Sequence, residues 1–216
     1  MTRGNLEHRY VGRTDEALCA QGVERLRRQF AELVRQLSVT WSDCVWDNTG
    51  DRIFCGVRIL TSPMRRCIQT AELLAAYMGQ VSLDLVRVQG LQEMDFGKFE
   101  YKNYEELRND NDYQRYLDTN GRSAFPGAET WEGFRKRCIR AFAGQLRILE
   151  SQQVQKAVFI MHGGSIMSVM EHFARPQQDY FCWQVENGGG FRLKIVKNGE
   201  GGMDLCQVLQ RITYSE

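Results

Sequence analysis

Val158-Phe159-Ile160-Met161-His162-Gly163-Gly164 is the stretch whose reading decides the fold. Four consecutive apolar residues are expected of a strand covered on both faces in a parallel sheet. The histidine and glycines that follow open an apolar helix through Met170. This sets a polar side chain at the C-terminal end of the strand, where open α/β sheets bind ligands, and the glycines permit close backbone approach. Upstream, Val57-Arg58-Ile59-Leu60-Thr61 reads as a second short strand. Ser62 and Pro63 after it signal a helix start, a capping hydroxyl ahead of proline, with the helix running to about Tyr77 and Gly79 as its stop.

Working outward, Leu18, Val23, Leu26, Phe30, Leu33, Val34 and Leu37 form a 3.6-period stripe, an amphipathic helix over 18–37. Residues 38–52 read as irregular, with a loop at 47–51, and Val81 to Val88 as a further strand. The polar, aromatic-rich stretch 97–127, with short helices around 102–118, reads as a cover over a site. A second amphipathic helix spans 129–150, carrying Trp131, Phe134, Cys138, Phe142, Leu146 and Leu149. Gly190–Val196 and Met203–Ile212 read as antiparallel strands around a turn at 198–202. Strands alternating with helices predict an α/β three-layer sandwich, its sheet mostly parallel with an antiparallel edge, in a single domain over 1–216.

Composition excludes several classes. Lys and Arg number 28 against 27 Asp and Glu, so no broad basic face for nucleic acid is expected. No apolar run approaches the ~18 residues of a membrane span, and the polar start at 1–10 is no signal-peptide core. The seven cysteines form no Cys-x-x-Cys pair, and only three histidines exist, so reduced thiols and no zinc site are expected, which fits the cytoplasm.

Several residues could carry chemistry. Amides at a helix N-terminus after Ser62, with Arg66 in the helix, could cradle a phosphate; an ordinary capped helix with solvent-facing arginines is the alternative. His162 could serve a ligand or the structure alone. Glu93, near Asp95 and apolar residues, could be a general acid of raised pKa or a solvated loop residue. Asn5, Arg9, Arg13 and Asp15 could order around an anion or form a loose terminus. His8 reads as an exposed loop residue and His172 as a helix-end residue.

Taken in chain order, these motifs are specific. Gly4-Asn5, Arg9-Tyr10 and Gly12-Arg13-Thr14-Asp15 come first, then Ser62-Pro63, Arg66 and Gln69-Thr70-Ala71. Glu93, Phe96-Gly97 and Glu100 follow, and then His162-Gly163-Gly164. The pattern resembles the histidine phosphatase (phosphoglycerate mutase-like) superfamily from residue 2 onward. Asp95-Phe96-Gly97, Lys102-Asn103-Tyr104 and Pro126-Gly127 to Glu129 are most similar to the branch holding α-ribazole phosphatase and phosphoglycerate mutase-like phosphatases. In that family a histidine attacks the phosphoryl group, and the phosphohistidine is then hydrolysed without a metal or other cofactor. The resemblance implies that Asn5 and Arg66 bind phosphate oxygens, His162 stabilises the transferring group and Glu93 protonates the leaving oxygen. Ser62 and Gly163 would line the pocket, and Arg13 would order the adjoining loop.

The family signature opens with an apolar strand ending in Arg-His-Gly, then any residue, Thr, two residues and Asn. Thr2 and Asn5 fit the end of that signature, so the resemblance implies that the nucleophile and its strand fall before Met1. The two strands beside that one would then lack a ladder partner, at about 1–3 kcal/mol for each buried polar group left unpaired. Either the start is an internal methionine of a longer product, or the chain is a degenerate pseudo-phosphatase. The expected function is hydrolysis of a small-molecule phosphomonoester in the full-length form, with the chain as given inactive. A phosphoglycerate mutase and a non-catalytic binder of phosphorylated ligands are the alternatives. No nucleic-acid or membrane partner is expected.

Overall fold

The computed structural model describes residues 1–36, 57–78, 85–119, 123, 126–197 and 205–214. The expected loop at 47–51, the stop at Gly79, the start of the 81–88 strand and the turn at 198–202 lie outside the described residues.

Strand β1 (Arg58–Thr61) lies between β2 (Leu85–Arg87) and β3 (Ala157–Ile160), parallel to both. Side chains alternate across a strand, and here the alternation builds two helical layers. Ile59, Val158 and Ile160 face α2 (Ala20–Gln36) and α3 (Arg65–Tyr77), packing with Leu26, Phe30, Ala71, Leu74 and Ala75. Leu60 and Phe159 face the other way, toward α6 (Trp131–Ser151), against Leu149 and Phe142. The expected α/β layering with a mostly parallel sheet is thus present.

The antiparallel strands form a second sheet. Here β6 (Leu205–Ile212) pairs antiparallel with β5 (Gly190–Val196) and parallel with the two-residue β4 (Ala174–Arg175). Among the described residues β3 pairs with β1 alone, and no ladder joins the two sheets. They share a core instead, in which Phe159 and Met161 meet Leu193 and Cys206 around Phe134, Phe142 and Phe173. The fully covered strand is β1, with Ile59 and Leu60 each 1% exposed. The Val158–Met161 run expected to be covered on both faces is half-buried. A strand flanked on both sides loses more surface than one flanked on one side.

Most sequence-read helices appear within three residues of expectation, among them α7 (Gly163–Phe173). An exception is α3, which opens at Arg65 with Met64 as its N-cap rather than at Ser62. The Ser62 hydroxyl meets His162 and accepts from the Met64 N–H at 3.4 Å, ahead of the helix, and Pro63 sits in the bend between strand and helix. The cover segment contains α4 (Tyr104–Leu107) and α5 (Asn111–Asp118), each started by a side-chain cap, from Asn103 and Asp110. It has its own small core of Phe99, Leu107 and Tyr113, against which Tyr10 packs from the N-terminal stretch.

Candidate active site

The site forms where parallel strands end together. Thr61 and Ile160 are register partners, so the residues after them emerge side by side, and the Ser62 amide donates to the Ile160 carbonyl at 2.8 Å. This brings the Ser62 hydroxyl within 2.8 Å of His162 Nε2. Thr61 also pairs with Arg87 of β2, and the Val88 amide donates to the Thr61 carbonyl. The chain then turns through Gln89–Leu91 and delivers Glu93 to the same end of the sheet.

Arg66 is the second residue of α3 and is 8% exposed. Its Nε donates to His162 Nδ1 at 3.3 Å. A guanidinium only donates, so Nδ1 accepts, and the ring proton sits on Nε2, facing Ser62. The imidazole is neutral: burial first, then the nearby Arg66 and Arg137 charges, hold His162 well below its ordinary pKa. Cys67 Sγ lies 3.5 Å from His162 Nε2, and burial pushes its thiol up to about 12.

The remaining Arg66 donors are committed to the N-terminal stretch. Nη1 reaches the Thr14 carbonyl at 2.8 Å, and Nη2 reaches the Gly12 and Val11 carbonyls at 2.9 and 3.3 Å. Asp15 caps the neighbouring helix amide, its Oδ1 accepting from the Arg65 N–H at 2.6 Å. The helix opening read as an anion cradle therefore already holds an internal carboxylate. Arg65 is exposed, whereas Arg66 is buried and points into the molecule.

Glu93 is linked to the histidine loop from the opposite side. Its carboxyl accepts from the Gly164 N–H at 3.1 Å and the Met94 N–H at 2.9 Å. Burial raises its pKa above the ordinary carboxyl value, against the opposing pull of those two amides and of Arg66 and Arg137. A carboxyl so placed keeps its proton to higher pH, as a general acid requires. Of the two glycines, Gly164 makes the close approach: a Cβ there would lie 2.5 Å from Glu93 Oε1, while one at Gly163 meets open space. Glu93, Arg13, Asp95, Gln92, Glu129 and Arg137 are among the residues lining a cavity of about 440 Å³.

The structure thus brings Ser62, Arg66, His162 and Glu93 together, with Gly163 opening α7 beside them and Arg13 at the cavity, 3.4 Å from Asp95. Asn5 is elsewhere engaged. It lies in the short α1 (Arg3–Leu6), where its Oδ1 accepts from the Thr2 N–H at 2.9 Å in a capping box. His8 is exposed at a positive φ, and His172 lies at the end of α7 against Phe173. Sequence reasoning missed Cys67, Gln92, Glu129 and Arg137. Arg137 carried only one weak signal, an arginine beside the apolar face of a long amphipathic helix. Among the described residues, no cluster of three or more His, Cys, Asp or Glu side chains is arranged to hold a metal.

The family model for the histidine phosphatase superfamily (branch 1) matches residues 51–204. This chain belongs to the histidine phosphatase superfamily. An uncharacterized phosphatase of Bacillus subtilis (strain 168), PhoE, is 28% identical over 169 residues, covering 78% of this chain and 70% of that protein. The α-ribazole phosphatase from Shigella flexneri has a similar structure, with a TM-score of 0.70 at 20% identity over 97% of this chain and 91% of that one. A phosphoglycerate mutase from Thermus thermophilus gives 0.58 at 23% identity, over 100% and 95%. These structural likenesses carry the fold of a histidine phosphatase. Among the described residues of this one, no helix is long and apolar enough to cross a membrane.

Proposed function

We propose that this site serves phosphoryl transfer from a small-molecule phosphomonoester, within a single domain spanning 1–216. Arg66 and His162 would meet the phosphoryl oxygens, Arg66 by giving up part of its hold on the 11–14 carbonyls, with Ser62 and the opening of α7 at Gly163 lining the pocket. Glu93 would protonate the leaving oxygen, and the adjoining cavity would take the leaving group, with Arg13 at its wall. Asn5 would join the phosphate ligands only by leaving Thr2. The observation that carries the reading is a carboxyl of raised pKa tied to the His162-Gly163-Gly164 turn, opposite an arginine bonded to that histidine.

In this reading the attacking group is a histidine other than His162. Both ring nitrogens of His162 are already hydrogen-bonded, and His8 and His172 lie outside the site. This favours a second reading for the 216-residue chain itself: it holds phosphorylated ligands without forming a phosphohistidine. Mutase activity would further require the pocket to exclude water while an intermediate turns over, and no observation favours it.

The test combines p-nitrophenyl phosphate turnover with the thermal shift induced by millimolar phosphate. Turnover through an acid-labile phosphoenzyme supports the enzymatic reading of the chain as it stands. A shift that disappears in Arg66→Lys, without turnover, supports the binding reading. Neither turnover nor shift sinks both.

A further inference from the structure

Outside the proposed phosphoryl pocket, the most heavily committed polar side chain on the cavity wall is Arg137, in the second turn of α6. One edge of its guanidinium holds the loop that carries Glu93. Nη1 donates to the Gly90 and Gln92 carbonyls at 3.0 and 3.1 Å, and Nη2 donates to the Glu93 carbonyl at 3.3 Å. The other edge of the guanidinium grips Glu129, with Nε on Oε1 at 2.9 Å and Nη2 on Oε2 at 2.7 Å. Gly90 lets the same loop press against Ala141, one helical turn beyond Arg137. The Glu129 amide donates to the Asp95 carbonyl at 3.2 Å, fastening the far end of the loop.

We propose that Arg137, oriented by Glu129, is the positioning residue for Glu93, fixing the backbone of residues 90–93 so that the carboxyl faces the cavity. The proposal rests on Glu93 being the acid of the reading above and adds the device that aims it. Three features distinguish this from ordinary packing. Arg137 and Glu129 both line the cavity with Glu93, their side chains 28% and 23% exposed, so the clamp faces the ligand space. The carbonyls held are those of Glu93 itself and its near neighbours, and only a planar fork reaches all three while pairing bidentately with a carboxylate. Finally, Glu129 offsets a positive charge that would otherwise draw the proton off Glu93. Arg137 thus sets the position while Glu129 tempers its charge, and burial raises the carboxyl's pKa.

The test is the titration of the Glu93 carboxyl by carbon-13 NMR in the full chain, assigned by its loss in Glu93→Gln. Charged and titratable groups facing Glu93 are Arg66, Arg137, Cys67, Cys138, Tyr116 and Tyr180. Arg137→Lys keeps the charge and loses the fork. The Glu93 midpoint is expected to fall toward the ordinary 4.5 as the loop admits water. Arg137→Met gives the sharper contrast, since loss of charge alone raises that midpoint and loss of position lowers it. A merely structural arginine would lower the melting temperature of both variants while the midpoint stays fixed or rises, and that result overturns the proposal. If neither Arg137 variant folds, Glu129→Asp decides, since it keeps the charge and withdraws the carboxylate from the fork: a lowered midpoint supports the proposal and an unchanged one overturns it. Phosphate binding by the parent protein judges the phosphoryl-transfer reading separately, so failure of one is not mistaken for failure of the other.

Discussion

The two walls of the site are built on opposite principles. On the Arg66 side, a buried guanidinium, a neutral imidazole, a hydroxyl and three backbone carbonyls satisfy one another within a closed corner. On the Glu93 side, a raised-pKa carboxyl and a clamped arginine look onto about 440 Å³ of open space. Buried polar groups are costly when unpaired, so the closed corner is rigid because each member depends on the others. On the open wall burial raises the carboxyl's pKa against the pull of Arg137, whose charge is paired with Glu129. Rigidity and room for a ligand are divided between two faces.

Substitutions on each wall should therefore differ in kind. The largest effect is expected for Arg66→Ala. It strips a donor from the Val11, Gly12 and Thr14 carbonyls and from His162, at about 1–3 kcal/mol for each acceptor left buried. A loss of at least roughly 3 kcal/mol is expected in denaturant unfolding; a loss below roughly 1 kcal/mol would mean the corner is not self-bracing. Next comes Gly164→Ala, which forces Glu93 off its amide and should cost roughly 1–3 kcal/mol as overpacking does. A crystal structure showing Glu93 undisturbed would break that expectation.

The walls also differ in their pH response. His162 resists protonation in the folded state, so the unfolded chain binds more protons below its ordinary 6.5, and stability falls as pH drops from there. Glu93 holds its proton when folded, so its contribution is complete below 4.5 and is lost as pH rises toward its native midpoint. His162→Asn should flatten the acid side and Glu93→Gln the other, each by up to about 1.4 kcal/mol per pH unit. Stability curves of parent and variants that run parallel across this range would contradict both assignments. The smallest change in stability is expected for Arg13→Ala, within about 0.5 kcal/mol, because the side chain is exposed beside Asp95. A larger loss in a melting experiment would move Arg13 from the cavity wall into the structural frame.

Period and punctuation made most of the fold legible. The strand at 57–61, the run at 158–161 and the long stripe from Trp131 follow directly from apolar spacing, which depends on neighbours in sequence. The misreadings arose from neighbours in space. Ser62 carries a strong capping signal, yet a histidine on the adjacent strand claims its hydroxyl and α3 starts later. Asn5 differs, since the contact that engages it is a local one, with Thr2 in its own turn. Arg137 and Glu129 lie eight residues apart on α6 and just before it, a separation with no local meaning. The pair works through the Glu93 loop, whose carbonyls Arg137 holds beside Glu129, and no spacing rule anticipates that.

One consequence follows from Asp15. Because its carboxylate already sits on the Arg65 amide at the start of α3, an oxyanion drawn to that helix opening would have to displace a resident one. The displaced carboxylate stays tethered nearby and offsets the positive charge of the helix end and Arg65, so added salt should perturb occupancy only weakly. Replacing Asp15 by asparagine would turn the swap into a simple addition and make occupancy respond steeply to ionic strength.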